Sequence, residues 1–370
     1  MAATWAGRTL ATVATMAQAF QRGATPSQRC GSVAPWRQGA TLSLRWRHGA
    51  TLSQRCGGAA PRRHRSTLRR AASSVSGLGD LVDDYDVFLL DQYGVLHNGA
   101  ALFPAAREAL AKLHDAGKKL VVLSNTSKRR QALVDELPGR GFDAAWLAGA
   151  VCSGEVCHGA LAALPAGSSA VVLGWADRGA AAYLEGTGVD LAPVEAADVV
   201  VAYGPDTIND GAATGFRSSG DLEPYAATLR AAVARDLPMY CANPDQRSID
   251  TDGETALFMP GTICDEYRRL GGTVVEFGKP HPDHFRAAIA AAGAAADARV
   301  IHVGDSLCHD VAGAAAAGVA SLFVVESGVH AAALAADARW PAEDPAAAVA
   351  ACAARHGAPD PTFSCATFRW

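Results

Sequence analysis

"VFLLDQYGVLHNG", Val87 to Gly99, decides the fold. Four apolar residues end abruptly on Asp91, and a glycine, a turn and a histidine follow. A short apolar run bounded by polar residues predicts a strand buried on both faces. A carboxylate at the tip of such a strand costs free energy unless it binds a cation or performs chemistry. Asp91 is therefore the first candidate functional residue, and Tyr93, two positions on, is part of the same turn.

The pattern repeats along the chain from Gly77. Strands are predicted at Val87–Leu90, Leu120–Leu123, Ala170–Leu173, Val199–Ala202, Pro238–Cys241, Thr273–Val275, Val300–Val303 and Ser321–Val325. Between them, helical periodicity covers Ala105–Ala116, Lys128–Leu137, Pro224–Arg235, Asp283–Ala291 and Cys308–Ala317. Buried strands alternating with helices predict an α/β fold, a doubly wound parallel sheet of Rossmann-like type. Ligands of such sheets lie beyond the carboxyl ends of the strands. Four strand ends carry unusual polar groups: Asp91, then Ser124-Asn125-Thr126, then Lys279 in "EFGKPHP", then Asp305 and Asp310 in "VGDSLCHD". Taken singly, Ser124, Asp305 and Asp310 are also good helix caps. Asn243 and Asp245, around Pro244, are equally ordinary turn residues, and His97, His281 and His309 are read as structural.

Together the four strand ends suit phosphoryl chemistry. A carboxylate is repelled by anionic phosphorus until a divalent cation lies between them. Magnesium prefers hard oxygens, which Asp91, Asp305, Asp310 and the backbone carbonyl of Tyr93 would supply. Lys279 would keep Asp91 ionised, while Ser124 and its neighbours Asn125 and Thr126 would hold phosphoryl oxygens.

These residues resemble the motifs of the haloacid dehalogenase-like (HAD) hydrolases: "DQYGVLHNG", "VVLSNTS", "GKPHP" and "HVGDSLCHDVAGA", in that order. The likeness spans roughly residues 83–330. It extends to the subfamily with a large cap inserted between the second and third motifs, which holds phosphoglycolate, nitrophenyl and sugar phosphatases. "CANPD" (241–245), "SGE" (153–155) and "PGTI" (260–263) look like its cap signatures, with Asn243 and Asp245 near the substrate. The nearest likeness is to an alphaproteobacterial-type group without an assigned substrate. The resemblance implies a magnesium-dependent phosphatase with a HAD core, an inserted α/β cap, a small phosphorylated metabolite as substrate and a homodimer. The expected divisions are a leader (1–79), core (80–131), cap (132–272), core (273–340), and a C-terminal helix and loose tail (341–370).

Tyr93 departs from the family pattern, which places an acid/base aspartate there. A phenol with a pKa near 10 donates a proton but is a poor base at neutral pH. General acid–base help is worth about 10²–10⁴ in rate. Slow phosphatase activity, with Asp245 or Glu155 as the base, is the first expectation. The second is a non-catalytic phosphate- and metal-binding regulator. The third is a haloacid dehalogenase, whose first motif is also DxYG but whose chemistry needs no magnesium.

Composition bounds the rest. Residues 1–79 hold twelve arginines and no Asp, Glu or Lys, which leaves 21 basic against 37 acidic residues in the body. An acidic body argues against nucleic acid as its natural partner. An acid-free, Arg-rich leader with repeated "GAT" segments reads as an organelle transit peptide, for the mitochondrion or, as the alternative, the plastid. The longest apolar stretch, 311–325, is too short for a membrane span. Nine scattered cysteines without a CxxC pair predict neither a disulfide framework nor a zinc site.

Overall fold

The computed structural model describes residues 72–250, 255–341 and 344–370. Seven parallel strands form the larger sheet, in the order Ser73–Ser74, Phe363–Cys365, Ala320–Val324, Val300–Gly304, Val87–Leu90, Lys119–Ser124 and Leu147–Cys152. From Val87–Leu90 the chain winds outward in one direction, and from Val300–Gly304 it winds in the other. The strand order reverses between these two neighbours, which opens a crevice beyond their carboxyl ends.

The two-residue period of the strands sorts their side chains. Val87, Leu89, Val121 and Leu123 join one apolar cluster, and Phe88, Leu90, Leu120 and Val122 join another. Both faces are thus buried, as the uninterrupted apolar runs require. Helices Pro104–Asp115 and Pro282–Ala292 cover the sheet, each with Pro at its first position, where the missing N–H costs nothing.

A second sheet has the order Thr273–Glu276, Pro238–Cys241, Val199–Ala202, Ser169–Gly174 and Asp190–Leu191, again all parallel. Thr207–Ile208 pairs antiparallel with Ser169–Gly174. Ala170, Val172, Val199 and Val201 belong to the same apolar cluster as Val87 and Leu89, so the two sheets share a continuous core.

The α/β class and its parallel sheets agree with the sequence, but several boundaries differ. Leu147–Cys152 lies in the larger sheet, not the inserted unit. Its Ala- and Gly-rich run carries little strand signal, yet Gly149 lets Ala291 pack close, 3.0 Å from where a Cβ would be. Thr273–Glu276 closes the second sheet instead of opening the core's second half. Phe363–Cys365, in the expected loose tail, is a strand, and it pairs with Ser73–Ser74 from the expected leader. Leu78 is fully buried beside them. The leader through residue 71, with its targeting signal, lies outside the described residues. No helix among the described residues is long and apolar enough to cross a membrane. Cys152, Cys157, Cys241, Cys264, Cys352 and Cys365 are free and buried.

Candidate active site

Asp91 and Asp305 stand at the ends of the two strands where the order reverses. The amide of Asp91 donates to Val303 O (2.9 Å), which continues the ladder to the last residue before the crevice. Asp310 follows on a wide turn, Leu307–Val311, whose Val311 N–H reaches back to Ser306 O (3.1 Å). That turn brings Asp310 back over the strand end. Gly304 makes room for it, since a Cβ there would lie 2.1 Å from the Asp310 carboxyl carbon. Oxygens of Asp91, Asp305 and Asp310 all lie within 4.8 Å of one another.

One buried cation faces them. Lys279 Nζ donates to Asp91 Oδ1 (2.8 Å) and Asp310 Oδ1 (2.6 Å). The Asp91 side chain is 13% exposed and that of Asp310 1%, so Asp91 is the more open of the two. Asp310 also accepts from Ser306 N (2.9 Å) and meets His302 Nε2 at 2.7 Å. Asp305 accepts from Val329 N (2.9 Å) and touches the backbone of Gly94 and Gly328, where added Cβ atoms would lie 2.5 and 2.3 Å from its side chain. The Tyr93–Gly94 peptide therefore runs beside Asp305, where a Tyr93 carbonyl ligand was expected.

Two of the three carboxylates, Asp91 and Asp310, pair with the one ammonium, and the proton affinities of the three separate accordingly. Burial pushes Asp91 up to about 6, partly offset by Lys279, with Asp310 and Asp245 adding repulsion. Burial and the charges of Asp91 and Asp310 drive Asp305 well above the carboxylate range. Burial acts on Asp310 in the same direction, but Lys279 and His302 outweigh it and hold Asp310 low. Lys279 is pulled down by burial, yet its two carboxylates raise it above an ordinary lysine. The excess negative charge is what a hard cation would balance. Three close carboxylate oxygens fit an ion of the magnesium type.

The second motif has two functions. Ser124 is buried at its strand end, and its Oγ accepts from Thr126 N (3.3 Å). The side chain of Asn125 is a clamp, which leaves its backbone amide as the part that could meet the expected substrate. Its Oδ1 accepts from Lys279 N (2.7 Å), and its Nδ2 donates to Lys279 O (3.0 Å) and Asp245 Oδ1 (2.8 Å). Both ends of the amide are spent on holding the lysine and the inserted unit. Thr126 likewise turns inward, its carbonyl accepting from Gly154 N (3.0 Å) and Ser153 Oγ (3.1 Å). Asn243 Oδ1 accepts from Asp245 N (3.0 Å), which makes it the turn residue of the plainer reading.

The remaining assignments divide similarly. Asp245 reaches the core, bridging Asn125 and His309 Nδ1 (3.1 Å). His309 is thus an inter-unit contact as well as a structural residue. Glu155 does not face the cluster: it pairs with Arg129 (2.7 Å) and accepts from Arg130 N (3.1 Å). Burial raises Glu155, but these bonds hold it below the ordinary range. His97 accepts from Gly99 N (3.0 Å) and packs edge-on to Tyr93, and His281 caps the helix Pro282–Ala292. His302 was missed by sequence reading. Fully buried between Leu89 O (3.0 Å) and Asp310, it gave one signal, a histidine inside the apolar run "VIHV".

The short glycine motifs interlock the loops. A Cβ on Gly154 would lie 2.0 Å from Ser127 O, and one on Gly261 would lie 2.2 Å from Pro244 O. Ser153 Oγ lies 2.7 Å from Ala242 O as well. "SGE", "CANPD" and "PGTI" therefore act as packing devices around the second motif.

The family described as haloacid dehalogenase-like hydrolase matches residues 88–190, and the one described as HAD-hydrolase-like matches residues 276–352. A haloacid dehalogenase-like hydrolase of Brucella suis 1330 is 30% identical in sequence. The match covers 70% of this chain and 91% of that one, with a TM-score of 0.61. This chain belongs to the haloacid dehalogenase-like hydrolases. A possible sugar phosphatase from Cytophaga hutchinsonii shares the fold of this hydrolase, at 20% identity, TM-score 0.61 and coverage of 80% and 98%. A 4-nitrophenylphosphatase of Schizosaccharomyces pombe is 25% identical over 235 residues, 60% of this hydrolase and 78% of that protein.

Proposed function

We propose that this hydrolase cleaves small phosphoric monoesters through a phosphoryl group carried on Asp91, with magnesium held by Asp91, Asp305 and Asp310. One observation carries the reading: oxygens of three carboxylates lie within 4.8 Å of one another, and a single buried ammonium pairs with two of them, Asp91 and Asp310. A bound divalent cation supplies the charge that lets a carboxylate approach anionic phosphorus. Lys279 engages Asp91 Oδ1, which fixes the carboxylate and leaves Oδ2 for phosphorus. Ser124 and the backbone amides after it receive the phosphoryl oxygens. The Oδ2–P bond forms as the P–O bond to the leaving oxygen breaks, and that oxygen takes a proton from water to depart as the alcohol. Water then attacks the acyl phosphate, losing its proton and returning Asp91 and inorganic phosphate. Asp245 is the base we assign to that second step, because its charge acts on Asp91 and its side chain stays 31% exposed beside Asn125 and His309, whereas Glu155 is turned to Arg129 and Tyr93 is a phenol. The S. pombe relative's activity on an aryl phosphate supports monoesters as the substrate class.

Tyr93 favours a second reading, a phosphate- and metal-binding regulator without turnover. A phosphate-release screen across sugar, nucleotide, glycolate, aryl and acyl phosphates, with and without magnesium, separates the two. The proposal expects magnesium-dependent release from at least one monoester, abolished in Asp91→Asn. No release from any substrate, with magnesium measurably bound, would establish the regulator. Chloride release from 2-chloropropionate by metal-free protein would point to a dehalogenase instead.

A further inference from the structure

A second cluster of ligand-type side chains is distinct from the three aspartates. The helix Pro345–Arg355 carries Cys352, and His356 caps its C-terminus. Four residues apart, they stand on one face, the spacing by which helical pairs grip a metal in H-E-x-x-H motifs. His330, at the start of the short helix Ala331–Ala335, faces them. The three donor atoms lie within 4.8 Å of one another. The His330 and His356 rings meet edge to face with centroids 4.5 Å apart.

The environment fits a ligand set. Cys352 is fully buried and His330 is 8% exposed, while His356 is partly open and provides an entry path. The His330 Nε2 lone pair now accepts from Leu307 N (3.2 Å), a long contact that ligation through this atom would replace.

We infer that His330, Cys352 and His356 form a second metal site, for a borderline-soft divalent ion of the zinc type. One thiolate and two imidazoles match the N/S preference of zinc and leave a fourth position open to water. Binding releases the Cys352 proton to solvent and forms one S–metal and two N–metal bonds. Such an ion fastens the end of helix Pro345–Arg355 to the turn whose Val329 amide holds Asp305. The site is separate from the magnesium-type cluster and does not rest on the phosphatase reading.

Cobalt(II) titration of the metal-depleted full chain tests this, because a cobalt–thiolate bond gives a near-ultraviolet charge-transfer band. One equivalent should produce that band together with intense visible bands of tetrahedral cobalt, and zinc should displace both. Cys352→Ser should abolish the charge-transfer band, and His356→Gln should weaken binding at least tenfold. Asp305→Asn should leave the band intact. His356→Gln guards against a folding defect at Cys352, since its helix-end position permits a normal melting curve without metal. Absence of the band in the parent, or its survival in Cys352→Ser, would overturn the site. Unchanged affinity in His356→Gln would do the same.

Discussion

The two parallel sheets obey the same folding rules and end in different chemistry. Past its carboxyl edge the larger sheet places Asp91, Ser124 and Asp305. The second sheet places Trp175, Tyr203 and Ala242 there. Its ends are aromatic: Tyr203 stacks on Tyr183 with centroids 4.0 Å apart, and Trp175 Nε1 bonds Ser127 Oγ (2.9 Å) and Tyr203 O (2.8 Å). One edge gathers charge that packing alone would reject, and the other buries hydrogen-bonded rings. The fold supplies both edges, and the side chains at the strand ends decide which one reacts. Lys279 links the two, because the segment after Thr273–Glu276 carries it from the second sheet to the first.

The contrast predicts unequal sensitivity to substitution. Asp91→Asn should lower monoesterase turnover by roughly 10⁴-fold or more while leaving the melting temperature near that of the parent. Lys279→Met strands two buried carboxylates. It should cost about 3–5 kcal/mol in denaturant unfolding and about 10³-fold in turnover. Tyr93→Asp should raise turnover on alkyl phosphates by about 10², measured against aryl phosphates as a control. An equal gain on both classes would mean that leaving-group protonation is not the defect.

A smaller effect concerns pH. Asp91 has a folded value of about 6, above the roughly 3.9 of an unfolded chain. Between about pH 4 and pH 6 the folded state therefore holds more protons, and stability falls as pH rises. Asp305 is shifted in the same direction, whereas Asp310 acts oppositely, below the unfolded value and outside this window. Magnesium should offset the penalty, so its increment in melting temperature should be larger at pH 7 than at pH 5. The smallest effect belongs to the second sheet. Trp175→Phe removes two hydrogen bonds and should cost about 1–2 kcal/mol of stability, with turnover within about threefold of the parent. A much larger catalytic loss would mean that the second sheet's edge takes part in the chemistry.

Strong local patterns were legible in the sequence. The runs at Val87–Leu90, Val199–Ala202 and Pro238–Cys241 are strands over the same residues as expected, since each is a continuous apolar stretch between turn signals. Leu147–Cys152 was not legible, because Ala and Gly give no strand signal until Ala291 is seen packed on Gly149. Sheet membership escaped as well: nothing within Thr273–Glu276 says which sheet it pairs with. At the site, the charged strand ends announced themselves because an isolated buried charge is costly. The amides did not. Asn125 and Asn243 bond as readily to their own chain as to a ligand, and only coordinates show that the oxygen of each already accepts a backbone N–H. His302 has the same difficulty, since its meaning depends on Asp310, eight residues later, folding back onto it.

In the proposed reaction Asp91 carries the phosphoryl group and needs a cation shared with Asp305 and Asp310. Rapid acid quench of the full chain with acetyl phosphate, followed by peptide mass spectrometry, tests it most directly. A phosphoryl adduct should appear on the peptide containing Asp91, present with magnesium and absent both without it and in Asp305→Asn. Steady turnover with no adduct there, or an adduct that forms equally well in metal-free protein, would contradict it.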